Sequence, residues 1–191
     1  LRKQIEEGIV NFDGLEQLNN LIKTGKVKSI FHYKNMNDLT SVIKDPEKTI
    51  IFSHIPKRFH NINSGVDMAE FGLVIQPFIL DKKVIEEKSI FPLATAKELV
   101  KQGAPVELKK ENAGNKDLEA LFDEIGITKC VSGHFHESGH RACDSCANLV
   151  KQEEFVDELF WNSGHFDAGQ TGILYVKNGK VAYRNIALSF S

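Results

Sequence analysis

The segment Cys130-Val131-Ser132-Gly133-His134-Phe135-His136-Glu137 sets two histidines one residue apart, behind a short apolar run and a glycine. In an extended segment, residues i and i+2 point to the same side, so both imidazoles can face one cluster of metal ions. Neutral imidazole is a common ligand for Zn, Mn, Fe and related cations. Upstream, Thr49-Ile50-Ile51-Phe52-Ser53-His54-Ile55-Pro56 repeats the arrangement of apolar run, small residue and histidine. Lys57, Arg58 and His60 follow it directly, and cations of this kind suit an anionic group such as phosphate.

These residues need elements to hold them. Residues 115–125 carry Leu118, Leu121, Phe122 and Ile125 at helical spacing, and Gly126 marks the stop. A strand over 127–131 then ends at the paired histidines. Residues 37–44 read as a shorter helix stopped by Asp45-Pro46, and the β-rich run 49–53 follows, ending at His54. Helix, strand and polar loop, occurring twice, is the α/β pattern in which ligands gather at the carboxyl ends of strands. A helix is also expected over 14–26, a short strand over 27–33, and a helix over 93–102 ended by Gly103. Residues 65–95 mix strand-like runs, 73–80 among them, with turns, and the pattern does not order them. At the other end, Asn178-Gly179 separates strand-like runs 172–176 and 181–186, the strongest short-range hairpin signal.

The His54 and His134/His136 segments resemble the fourth and fifth metal motifs of the calcineurin-like metallophosphoesterases, a Ser/Gly-His step and a Gly-His-x-His step. Phe160-Trp161-Asn162-Ser163-Gly164 looks like the family's Asn-Pro-Gly element, with Ser163 in place of proline. The resemblance covers roughly residues 49–188. The family's first three motifs, Asp-x-His, Gly-Asp and Gly-Asn-His-Asp/Glu, find no counterpart. Gly114-Asn115-Lys116-Asp117 comes nearest to the third, but it lacks the histidine and follows His54. The expectation is that residues 1–191 are the C-terminal portion of a single metallophosphoesterase domain. The rival is a degenerate domain that has lost its metals.

The resemblance implies an α/β fold of four layers, an α/β/β/α sandwich, with the C-terminal hairpin in its second sheet. It implies a phosphoesterase that hydrolyses a phosphomonoester or phosphodiester with two divalent ions (Mn, Fe, Zn or Ni) and a bridging hydroxide. By motif position His54 and His134 would bind one metal and His136 the other, with Arg58 and His60 on the substrate side. The bridging aspartate, the remaining ligands and the catalytic histidine would come from a missing N-terminal segment. No catalytic residue is therefore assigned here, and this chain alone is expected to be inactive. A non-catalytic scaffold of the same fold that binds protein partners is the alternative. A zinc module on His140, Cys143 and Cys146, completed by Cys130 or His165, has ligand-like spacing but no second clean pair, so ordinary thiols are expected there. His32 and His165 are expected to be structural or exposed, and Glu137 exposed.

Composition bounds these readings. The chain has 191 residues, 41% hydrophobic and 26% charged, as in ordinary globular proteins. A net charge of -2 does not indicate nucleic acid. The short clusters Lys82-Lys83 and Lys109-Lys110 neighbour acids and read as solvated surface. No apolar run approaches a membrane span. Three cysteines and no Asn-x-Ser/Thr step fit the cytoplasm.

Overall fold

The computed structural model describes Thr24 and residues 38–189. The expected helix at 14–26, apart from Thr24, the expected strand at 27–33 and His32 lie outside the described residues. The chain divides into two units, residues 1–38 and 39–191, and the elements below belong to the second, α1 beginning at the boundary. The architecture is mixed α/β, several small sheets with few helices.

Short β-branched and aromatic runs form the central sheet. β1 (Ile51–Phe52), β7 (Lys129–Ser132) and β9 (Leu159–Asn162) run parallel in the order β1-β7-β9, and β8 (Ala142–Cys143) adds antiparallel to β9. Every residue of β7 and β9 is buried. Both faces of these strands are covered, so their burial does not alternate.

One face of this sheet meets the C-terminal hairpin, β10 (Gln170–Lys177) and β11 (Lys180–Ala187). Asn178 and Gly179 form its two-residue turn with φ of +52° and +77°, the left-handed pair that matches the twist of the flanking strands. Val131, Ala142, Leu159 and Trp161 pack there with Val181 and Tyr183. The two polar tips are satisfied: Trp161 Nε1 donates to Asn185 Oδ1 at 2.9 Å and the Tyr183 hydroxyl to the Val150 carbonyl at 2.8 Å. Phe160, the alternate residue of β9, packs edge-on against Phe59.

α1 (Asp38–Val42) ends ahead of a 3-10 turn at Pro46–Lys48, as Asp45-Pro46 led us to expect. α3 (Lys116–Ile125) delivers the chain into β7. Asn115 caps it, its side chain accepting the Leu118 N–H at 2.9 Å, and Gly126 closes it in the left-handed region. Leu118, Leu121 and Phe122 are its buried stripe. The Gly-Asn-Lys-Asp step at 114–117 is thus a helix start.

Residues between β1 and α3 build a satellite. β2 (Met68–Val74) lies between β5 (Ile90–Pro92) and β6 (Val106–Asn112), all antiparallel, with the hairpin of β3 (Phe78–Leu80) and β4 (Lys83–Ile85) alongside. The run 73–80 is two strands instead of one, broken at Ile75-Gln76-Pro77, where proline has no N–H to give a ladder. α2 (Leu93–Lys101) packs Ala96 and Leu99 onto Val74 and Val106. Gly72 makes that approach possible, since a Cβ there would overlap the Ala96 methyl. Lys109 and Lys110 pair with Glu107 and Glu70 at 2.7 and 3.4 Å.

Asp67, fully buried just before β2, ties the satellite to the segment after β1. Its carboxylate accepts the Phe59 N–H at 2.9 Å, the Gly114 N–H at 3.1 Å and Asn112 Nδ2 at 2.7 Å. Burial pushes its pKa up, and the three donors oppose that rise. Replacing Asp67 by Ala strands two backbone donors, so Asp67→Ala is expected to cost ~2–4 kcal/mol in urea unfolding. A loss below 1 kcal/mol (about the scatter of surface substitutions) would show that the links are dispensable.

Candidate functional site

Three loops leave the carboxyl ends of the three parallel strands, and their register brings four histidines to one edge. Phe52 of β1 lies beside Val131 of β7, and Ser132 lies beside Asn162 of β9. Backbone bonds continue past the strands: Ser53 N–H to Val131 O at 3.0 Å, Gly133 N–H to His54 O at 3.2 Å, and Ser163 N–H to Ser132 O at 3.0 Å. The loops bearing His54, His134 and His165 are therefore locked side by side. Open α/β sheets bind ligands in this position.

His134 Nδ1 lies 3.1 Å from His54 Nε2, with ring centroids 4.8 Å apart and nearly perpendicular. His136 stacks on His165, with centroids 3.7 Å apart and 36° between planes. The close spacing of His134 and His136 therefore does not pair them with each other. His134 adopts φ +69° and His136 starts a 3-10 turn, so the segment is not extended and each ring finds a partner from another loop. Buried Phe135 anchors the loop between the two exposed rings. A left-handed residue other than glycine costs ~1–2 kcal/mol, and such strain clusters at functional sites.

Asn162 holds this loop in place. Its buried Nδ2 donates to Phe135 O at 2.8 Å, with longer contacts to Val66 O, Gly133 O and Ser138 Oγ, and its Oδ1 accepts the Gly164 N–H at 3.0 Å. Ser163 stands where the resembling element has proline, and its N–H makes the bond to Ser132 that proline could not. Partial desolvation holds His134 below its ordinary pKa, helped by repulsion from His54 and His136 and opposed by Glu137. A neutral ring keeps its lone pair free for a cation.

The 3.1 Å separation serves a ring-to-ring hydrogen bond, and it equally fits two ligands of one ion. Nitrogens bound at ~2.0–2.1 Å and ~90–110° lie ~2.9–3.4 Å apart. Among the described residues, no three His, Cys, Asp or Glu side chains gather closely enough to hold a metal ion.

The basic residues after His54, namely Lys57, Arg58 and His60, all line one cavity beside α3, and His60 Nε2 meets Glu119 Oε1 at 2.7 Å. Lys57, between them and the His54 loop, is buried and paired with Asp123 at 3.2 Å. Glu137 is exposed, as expected. His165 is the residue that sequence reasoning left aside. Its signal was positional: it follows Asn162 by three residues, in the loop after the strand that neighbours the one ending before His134.

His140, Cys143 and Cys146 do not assemble. His140 Nε2 bonds Thr171 O at 2.9 Å, Cys143 is buried in β8, and Cys146 is exposed. Burial pushes the Cys130 and Cys143 thiols up to about 12. No helix among the described residues is long and apolar enough to cross a membrane. No protein-family model, curated protein or solved structure matches the chain.

Two outcomes follow from this geometry. At about pH 8 a disulfide thiol reagent should label Cys146 alone in the folded chain and all three cysteines after denaturation; fast labelling of Cys143 when folded would contradict its burial. Asn162→Ala should lower Tm by ~5–10 °C and collapse the separate imidazole NMR signals of His54 and His134. Unchanged signals would show that the loop is held without the amide.

Proposed function

We propose that the chain carries the histidine side of a metallophosphoesterase site, in a metal-dependent phosphoesterase acting on a phosphomonoester or phosphodiester. The observation that carries the reading is the convergence of His54 Nε2 and His134 Nδ1 at 3.1 Å, from the ends of adjacent parallel strands. His54 and His134 would hold one divalent ion (Mn, Fe, Zn or Ni), and His136, stacked on His165, a second. When bound, these cations supply charge stabilisation at a phosphoryl group and a nucleophile at neutral pH. The chain's own residues orient the ligands: Asn162 fixes the His134 loop, and His165 limits rotation of His136. Arg58 and His60 are the substrate-side residues.

Three neutral imidazoles cannot offset two divalent ions at close range. The reading therefore requires carboxylates from outside the described residues, on an upstream segment carrying the family's first three motifs. On this reading the hairpin β10–β11 and the central sheet are the two inner layers of the four-layer sandwich, and the protein works in the cytoplasm. A non-catalytic scaffold of the same fold is the second reading, favoured by the lack of a third ligand beside either histidine pair among the described residues.

The test is hydrolysis of a chromogenic phosphodiester and monoester with Mn²⁺, by residues 1–191 alone and joined to the upstream segment. Residues 1–191 alone should be inactive and hold metal weakly. The longer protein should turn over, lose activity to chelator, and lose more than ~100-fold with His54→Ala or His134→Ala, beyond the usual effect of outer-shell changes. Metal-independent turnover would sink the reading. Stoichiometric metal without turnover would favour the scaffold.

A further inference from the structure

The residues after His54 and one face of α3 border a half-open cavity of about 380 Å³, lined by Lys57, Arg58, His60, Glu119, Asp123 and Cys146 among others. Glu119 and Asp123 are four apart and so project from the same face of the helix. Each meets one basic side chain. His60 Nε2 is 2.7 Å from Glu119 Oε1, and Lys57 Nζ is 3.2 Å from Asp123 Oδ1. The Lys57 ammonium also sits 4.8 Å from the Phe160 ring centroid and 5.3 Å from that of Phe59, where cation–π attraction helps to hold it.

Arg58 differs from both. Its backbone N–H donates to Asn115 O at 3.1 Å, but among the described residues its buried Nε has no hydrogen-bond partner. Buried donors are nearly always satisfied, and an orphan calls for an acceptor. The guanidinium fork fits the paired oxygens of a carboxylate or phosphate. Lys57 is paired with Asp123 and His60 with Glu119, so among the described residues Arg58 alone of the cavity's basic side chains has no acidic partner. One unpaired guanidinium matches a single negative charge.

We propose that this cavity binds a singly charged oxyanion, the chemistry shared by a phosphodiester and a carboxylate, with Arg58 as its anchor. If the phosphoesterase reading holds, the cavity selects diesters over monoesters. That clause rests on the proposed function, while the binding itself needs no metal.

The experiment titrates the full chain, in chelator, with dimethyl phosphate, acetate and inorganic phosphate, against chloride at matched ionic strength. The arginine Nε–H NMR signals are followed. The Arg58 signal should shift saturably with the monoanions, and the tighter of dimethyl phosphate and acetate identifies the oxyanion. Arg58→Gln should weaken binding at least ~10-fold, whereas Arg184→Gln, on β11 and outside the cavity lining, should leave it unchanged. Equal binding in Arg58→Gln, a chloride titration that reproduces the shift, no saturation, or tighter binding of dianionic phosphate would overturn the proposal. Should Arg58→Gln fail to fold, the Arg58 Nε–H signal of the native chain decides alone. Loss of hydrolysis with this binding intact would indict only the phosphoesterase reading.

Discussion

One buried carboxamide joins the His134 and His165 loops at the histidine edge. Asn162 ends β9, yet its side chain reaches across to the loop after β7 and to the Val66 carbonyl before β2. It donates through Nδ2 and accepts through Oδ1 at once, from Gly164. Aspartate could not supply the donors, and leucine of similar volume could supply neither role. In a desolvated setting such a network polarises its members and is costly to leave half made. The position of His134 and its left-handed backbone belong to the loop that this amide fixes.

The charged groups follow the same logic of satisfaction. Lys57 is only 5% exposed, but an aspartate and two aromatic faces surround its ammonium. Asp67 is wholly buried and has three donors. Both tie the chain segment after β1 to its surroundings, Lys57 to α3 and Asp67 to the satellite. The loop that begins at His54 is thus held from two sides.

Local signals made part of this structure legible. The helix over 115–125 was readable because Asn115 and Gly126 are cap residues and the apolar stripe has helical spacing. Helix 93–102 and the Asn-Gly hairpin were readable for similar reasons. The His54 and His134 loops were recognisable as strand ends. What pairs with what was not, because parallel register between segments some 80 residues apart leaves no local trace. His165 was assigned to structure or solvent, since its partner, His136, belongs to a loop far away in sequence. Lys57 read as a cation for an anionic group, and only the tertiary placement of Asp123, Phe59 and Phe160 shows it buried and paired. The stretch 65–95 defied reading because β3, β4 and β5 have three residues each and follow β2 through connections of only three, two and four residues.

The parallel order β1-β7-β9 also bears on how the chain reaches its native state. Each pairing closes a long loop before any hydrogen bond rewards it, and the entropy of that closure must be met first. The hairpin and the capped helices can form early from nearby residues, while the His54–His134 contact cannot exist until the distant strands have docked. A spectroscopic probe on that contact would rise late in refolding, behind the helical signal, and its lag would measure the time the chain spends compact but without a formed site.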